Sequence, residues 1–377
     1  MAFDIICLSH LAFEVTLFQR PQHLMVRLAE RGHRVLYCGC VGTRRTKEIR
    51  RQPQGTVAPA RLAVTHLPYH PLTRHLETPR RMLTASSIRR SATELFAPEE
   101  NPRLLWLYHP GLLPLAQRLG GGRVVFDMMD RFRSFTSSPA DTHEQERRVV
   151  RSADQLFSGG RSLHRACEKL LGGGAARPPL CFPSGVDLLH FRSALSDETS
   201  VPPELARLPG PVFGYIGAVD ERIDWLALRA LATAQPNGSV VLIGPVLAPD
   251  LPAMPPNVHI LGARPYSTLP GWLKGFDVAL IPFRITELVT HVSPTKTPEY
   301  LAAGCMVVST AVPDVKADWG DVVMVTQTPT QFAEACAAAV AEPTQPEALS
   351  NLTSQRARTW EQIAAEMEQA LEEIVAR

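Results

Sequence analysis

Residues 293–304 read SPTKTPEYLAAG and put hydroxyls, a lysine and a glutamate at the predicted start of a helix over 295–303. The free backbone N–H groups of a helix start, together with its dipole, favour an anion. Ser293 or Thr295 can cap the helix or donate a hydroxyl. Lys296 adds a full positive charge where the dipole disfavours cations by ~0.3–1 kcal/mol, a cost that a nearby anion outweighs. Glu299 follows within the first two turns and lies over the same mouth. A phosphate would repel its carboxylate, so sugar hydroxyls are the better partners.

Other residues converge on the same chemistry. Arg222, in GYIGAVDERIDW, follows a glycine-ended strand and suits a diphosphate. Arg264 and Tyr266, in GARPYSTLP, follow another such strand and could stack on or edge a base. Gly217, Gly244 and Gly262 end three strands, where a ligand can approach bare backbone or the chain can simply turn. Towards the N-terminus, His10 closes the first strand and Arg20, Gln22 and His23 open the helix after it. His109 ends LLWLYHP, and Asp127 and Asp130 end VVFDMMD. If an acceptor hydroxyl needs a general base, Asp130 and His109 are placed for it. Competing structural roles are a cap for residues 131–135 at Asp130 and a hydrogen-bonded helix start at Gln22 and His23. Asp187, in PSGVD, reads as a helix cap.

The elements that must position these groups alternate along the chain. Strands are expected at 3–8, 34–38, 62–66, 104–108, 124–128 and 155–158, with a helix over 20–30 ended by Gly32. Ser193–Pro211, rich in proline, serine and acids, reads as a linker. The alternation restarts with strands at 212–216, 239–243, 258–261, 277–282, 306–310 and 322–326. Helices are expected at 224–234, 267–275, 295–303, 332–341 and 358–375, with Asp224 an N-cap and Gly304 a C-cap. Strand–helix–strand units favour parallel sheets. The expected fold is α/β: two tandem Rossmann-like, doubly wound domains, 1–195 and 196–357, with the helix over 358–377 packing back on the first. Ligands in such sheets lie off the carboxyl ends of the strands, here in a cleft between the domains.

The 377 residues, 45% hydrophobic, suffice for two ordinary cores. A net charge of +2 implies no polyanion partner such as nucleic acid. Seven scattered cysteines lack a disulfide framework, and Cys38-Gly-Cys40 lacks zinc-knuckle spacing and reads as strand-end packing. The start MAFDIICLSH has no basic n-region and no cleavage site, and no run approaches a membrane span. A cytoplasmic protein is expected. Arg44, Arg45, Lys47, Arg50, Arg51, Arg80, Arg81, Arg89 and Arg90 form either a solvated surface or a face for anionic lipid at the inner side of the membrane. Leu76, Leu83 and Ile88 lie among these charges in too loose a pattern for a membrane helix.

GYIGAVDERID, VVLIGP, ILGARPYSTLPGWLKGFDVALIPF and SPTKTPEYLAAGCMVVSTAVPDV, in this order, resemble the nucleotide-sugar-binding half of GT-B fold glycosyltransferases of the family-4 type. FQRPQHLMVRLAERGHRVLYC, LLWLYHP, VVFDMMDRF and FPSGVDLLHF resemble the first half of the same proteins. The resemblance implies transfer of a sugar from a nucleotide donor, most often a UDP-sugar, to a glycan or lipid-linked glycan. It implies that Glu299 binds the donor ribose, that Arg222 and Lys296 hold the diphosphate, and that the segment of Arg264 and Tyr266 borders the base. It implies no cofactor and no metal, basic groups stabilising the leaving diphosphate instead. Many retaining members carry a second glutamate seven residues before the one matching Glu299, where this chain has His291. His291 can still hydrogen-bond a sugar hydroxyl or a phosphate, and retention of configuration is expected on family grounds. The alternatives are a UDP-sugar epimerase on the same fold and a non-catalytic nucleotide-sugar-binding scaffold. A dehydrogenase is disfavoured, because SHLAFE stands where a G-x-G-x-x-G would follow the first strand.

Overall fold

Short apolar runs, the central ones buried on both faces, build the two sheets of the computed structural model, which describes all residues except 14–16, 41–59, 68–77, 99, 173–176, 249 and 377, and the side chains of 78–83. The first sheet contains β1 (Asp4–Ser9), β2 (Arg34–Cys40), β3 (Leu62–Leu67), β4 (Arg103–Leu107), β5 (Arg123–Met128), β6 (Gln155–Ser158) and β7 (Leu180–Cys181), in the order β3-β2-β1-β4-β5-β6-β7. The second contains β8 (Val212–Ile216), β9 (Ser239–Ile243), β10 (Val258–Gly262), β11 (Val278–Ile281), β12 (Met306–Thr310) and β13 (Met324–Thr326), in the order β10-β9-β8-β11-β12-β13. Pairing is parallel throughout, as in Ile5↔Val35, Ile5↔Leu104, Gly214↔Val241 and Gly214↔Ala279. Parallel strands covered by helices on both faces need continuous apolar sequence, and β1 and β8 are buried at every position. Each sheet runs outward both ways from its first strand, which puts a switch point between β1 and β4 and another between β8 and β11.

Several helices follow directly from local chemistry. Helix Arg20–Glu30 carries a capping box between Gln19 and Gln22. Helix Trp225–Ala234 is capped by Asp224, whose side chain accepts the Leu226 and Ala227 N–H groups at 3.0 Å each. Helix Lys296–Ala302 ends at Gly304, whose φ of 82° suits only glycine. Helix Thr78–Leu95 buries a narrow stripe of Ala85, Ile88 and Ala92. Ile88 is therefore a core residue and not part of a lipid-facing surface. Arg89 and Arg90 are exposed on that helix, while Arg44, Arg45, Lys47, Arg50, Arg51 and Leu76 lie outside the described residues.

The chain forms two compact units, residues 1–183 with 360–377, and residues 184–359. Ser193–Pro211 is not a linker. It forms a turn at Ser193–Leu195 and a helix at Pro203–Ala206, and Ala194 and Leu205 are buried in the second unit's core. Two apolar side chains at the right places outweigh a polar composition. Helix Trp360–Val375 belongs to the first unit, where Trp360, Ile363, Met367 and Leu371 are fully buried among Phe3, Ile5, Leu24 and Leu28. All seven cysteines are free thiols, and burial pushes Cys38 and Cys40 far above the ordinary thiol range, which makes them inert packing residues.

Candidate active site

At the carboxyl edge of the second sheet, three glycine-ended strands lie side by side. Gly217 ends β8 with φ 155°, Gly244 ends β9 with φ 150°, and the Gly244 N–H donates to the Gly262 carbonyl of β10 at 2.9 Å. A Cβ on Gly244 would overlap the Gly217 carbonyl, and one on Gly217 would lie 2.8 Å from Lys296 Nζ and 2.7 Å from the Tyr215 hydroxyl. Backbone and the Lys296 ammonium thus share one surface beside the switch point. Tyr300, which the sequence reading missed, fixes that arrangement. Its hydroxyl accepts the Ile216 N–H at 2.8 Å and donates to the Ile216 carbonyl at 3.2 Å, clamping helix Lys296–Ala302 to the end of β8.

Lys296 Nζ lies 5.7 Å from the Tyr215 ring centroid, Tyr215 meets Phe283 edge-on, and Arg222 lies 5.8 Å over Phe283. The two cations therefore flank one aromatic pair. Arg222 is held by Asp220, with Nε 3.0 and 3.1 Å and Nη2 2.6 Å from the carboxylate oxygens. Glu299 is half-buried, and burial pushes its carboxyl up to about 7; Lys296 opposes the shift and Asp187 adds to it. Asp187 also caps helix Leu188–Arg192 by accepting the His190 N–H at 3.3 Å. His291 sits in a turn, its Nδ1 2.9 Å from the Glu287 carbonyl, so that nitrogen carries the proton.

One expectation for this unit needs correction, and two residues have neighbours that the sequence did not show. Neither Ser293 nor Thr295 gives the helix a side-chain cap bond: Thr295 stands at the N-cap position in helical conformation. Arg264 pairs with Glu204, donates to the Ala263 carbonyl and lies 5.1 Å over Trp272. The Tyr266 ring is stacked against His190 at 4.5 Å and 14° and met edge-on by Phe191. Glu204 and His190 lie 60 residues from Arg264 and 76 from Tyr266, a distance that local reading does not bridge.

In the first unit, His10 and His109 follow β1 and β4 and so flank the switch point. Their ring centroids are 5.6 Å apart, and Phe132 lies 4.9 Å from His10 and 4.3 Å from His109. His109 is buried, and its Nδ1 accepts the Gly111 N–H at 3.0 Å. The neutral ring then carries its proton on Nε2 and offers a donor there, which removes His109 as a general base. Asp130 is half-buried after β5. The loop beyond it is held by a buried pair the sequence reading missed, Arg131 with Glu146, whose carboxylate also accepts the Arg133 N–H at 3.2 Å.

Arg20, Gln22 and His23 lie inside the protein and are not set to meet an acceptor. Arg20 is 3% exposed; its Nε reaches both Asp127 oxygens at 2.9 and 3.0 Å and its Nη1 the Phe182 carbonyl at 2.8 Å. Gln22 bonds the Gln19 N–H and the Ala12 carbonyl. His23 stacks on Trp360 at 4.7 Å and 6°. A histidine, a glutamine and an arginine at a helix start read as ligand groups when their buried partners are unknown.

Residues 210–342 match the family model described as Glycosyl transferases group 1. A Bacillus subtilis (strain 168) protein described as a candidate teichuronic acid biosynthesis glycosyltransferase, TuaH, is 24% identical over 225 residues, covering 55% of each chain. The match thus spans about half the length of that relative. The crystal structure of Anabaena HepE in complex with UDP-glucose has a TM-score of 0.68 at 15% identity, over 99% of this chain and 100% of HepE. That of the α,α-trehalose 6-phosphate synthase from Burkholderia multivorans has a TM-score of 0.65 at 13% identity, over 100% of this chain and 99% of the synthase. Residues 210–342 thus carry a glycosyl transferases group 1 domain, and the chain has the two-domain GT-B fold that it shares with HepE along its whole length.

Proposed function

We propose that the protein transfers a sugar from a nucleoside diphosphate donor, a UDP-sugar, to a hydroxyl of a glycan or lipid-linked glycan. The observation that carries this reading is the approach of Lys296 Nζ to the bare backbone of Gly217 at the second sheet's switch point. A cation and side-chain-free backbone meet there at the carboxyl ends of the strands, as a diphosphate requires. HepE, solved with UDP and with UDP-glucose, supports uridine as the base. TuaH supports a polysaccharide acceptor.

In this reading Lys296 and Arg222 neutralise the charge that grows on the diphosphate as the glycosidic C–O bond breaks, with no metal required. Glu299 accepts from the ribose hydroxyls. A new C–O bond forms to the acceptor oxygen, whose proton leaves on the departing phosphate, and configuration is retained. Asp130 is then dispensable as a base, and His109 Nε2–H and His291 serve as hydrogen-bonding groups. Residues of the basic stretches serve at an anionic membrane face.

The test is calorimetric titration with UDP and UDP-glucose. The intact protein should bind, and Lys296→Ala should bind about ten- to a hundredfold more weakly, the loss of a charge-assisted contact. Equal binding by both would remove the diphosphate from this place. Full turnover in chelator, retained anomeric configuration by NMR, and less than about tenfold loss in Asp130→Asn would support the remaining steps. An inverted product would end the retaining reading.

A further inference from the structure

We propose that His190, outside every site considered above, positions the loop after β10 and through it sets which nucleobase the donor carries. The proposal rests on the donor reading just given, which places the diphosphate at Lys296. From there the strand-end glycines lead away in one direction: Lys296 touches Gly217, Gly217 adjoins Gly244, and Gly244 bonds Gly262. Two strand spacings, about 10 Å, separate the first from the last, a span that a ribose bridges. The base then falls against the loop Ala263–Thr268. The large side chains of that loop are engaged elsewhere, Arg264 with Glu204 and Trp272 and Tyr266 with His190 and Phe191, and the Thr268 hydroxyl donates to the Pro265 carbonyl at 2.8 Å. What the loop then offers a base is chiefly backbone, and backbone discriminates bases only if it is held in place.

His190 supplies that hold. Its Nε2 lies 3.0 Å from the Tyr266 carbonyl and therefore donates to it, and its ring lies flat on the Tyr266 ring at 4.5 Å. His190 is itself fixed, because its N–H is bonded to Asp187. Its helix, Leu188–Arg192, packs against helix Lys296–Ala302 and against the helix Leu269–Lys274 that continues the loop. One short helix thus ties the segment carrying Lys296 and Glu299 to the segment beside the base. Burial keeps His190 below the ordinary imidazole range, so it is neutral at physiological pH, with Nε2–H as the donor and Nδ1 free of a proton.

The experiment measures dissociation constants of UDP, GDP and ADP for the full chain and for His190→Ala, His190→Phe, His190→Gln and Lys296→Ala. His190→Ala should weaken the preferred nucleotide about tenfold, as expected for losing one buried hydrogen bond and its ring contact, and leave the others nearly unchanged, so selectivity collapses. His190→Gln, which restores a donor near the position of Nε2, should recover much of the selectivity; His190→Phe, which keeps only the ring, should recover less. Lys296→Ala should weaken all three alike. The proposal is overturned if His190→Ala keeps wild-type selectivity, or weakens all three nucleotides equally. If Lys296→Ala behaves as stated while the His190 variants do not, the donor reading stands and this one alone falls. If the unaltered protein binds none of the three, both fall together.

Discussion

The Glu299 carboxyl, pushed by burial up to about 7, holds a proton in the native chain that the unfolded chain releases at lower pH. Between the ordinary carboxylate range and pH 7 the native state therefore binds the extra proton, and this group's contribution to stability falls as pH rises through that window. Ligand binding runs the other way. Ribose hydroxyls donate to the ionised form, so bound donor favours loss of the proton. UDP affinity of the intact protein should rise between about pH 5.5 and about pH 7.5 more steeply than that of Glu299→Gln, whose remaining slope is the ligand's own titration. Parallel slopes in calorimetry would take Glu299 out of the donor contact. His109 gives a second test at this scale. His109→Asn can still accept the Gly111 N–H, as a capping side chain does, but has no donor at the Nε2 position. Turnover should drop about a hundredfold, the cost of one lost hydrogen-bond donor to a reacting group, while the melting temperature stays. Undiminished turnover would leave His109 as a cap alone.

At the scale of elements, what the sequence made legible and what it hid divide along physical lines. β6, β8, β9 and β12 can be read to the residue because each is an apolar run bracketed by turn residues and buried on both sides. β7, only Leu180–Cys181, is too short to leave a periodic trace, and helix Thr142–Ser152 buries only Thr142, Glu146, Val149 and Val150 in a highly charged sequence. That Gly217, Gly244 and Lys296 come together was legible because each stands where a strand ends or a helix begins, at the same edge of the sheet. Arg20 was misread because its partner Asp127 lies 107 residues away. That pair carries its own prediction. Asp127 is fully buried and raised by desolvation, with Arg20 holding it down. Arg20→Met should cost about 3–5 kcal/mol in urea unfolding of the first unit, because it strands a buried charge, with UDP affinity unchanged. A loss below about 1 kcal/mol would mean that the pair is neutral in net effect.

Over the whole molecule, the second unit is one continuous segment, residues 184–359, whereas the first is split and needs residues 360–377 to be complete. The returning helix does not merely lie on a finished core. Trp360, Ile363, Met367 and Leu371 are fully buried against Phe3, Ile5, Leu24 and Leu28, and Trp360 covers the His23 ring. Arg27 with Glu361, and Arg31 with Glu368, fasten its outer side, but exposed pairs of this kind add little. The apolar side chains decide the outcome. Each is worth about 1.5–3 kcal/mol when buried, and four of them together match the net stability of an ordinary domain, about 5–15 kcal/mol. Removing residues 360–377 should therefore unfold the first unit and leave the second, whose core includes none of them. In calorimetric melting the truncated chain should lose the transition of the first unit and keep that of the second, still raised by UDP, with nucleotide affinity within about threefold of the full chain because the ligand binds only that folded unit. Transfer activity should vanish, since His109, proposed above as a hydrogen-bonding group of the reaction, lies in the first unit. If the truncated protein keeps both transitions, the helix is an accessory and the first sheet closes its own core.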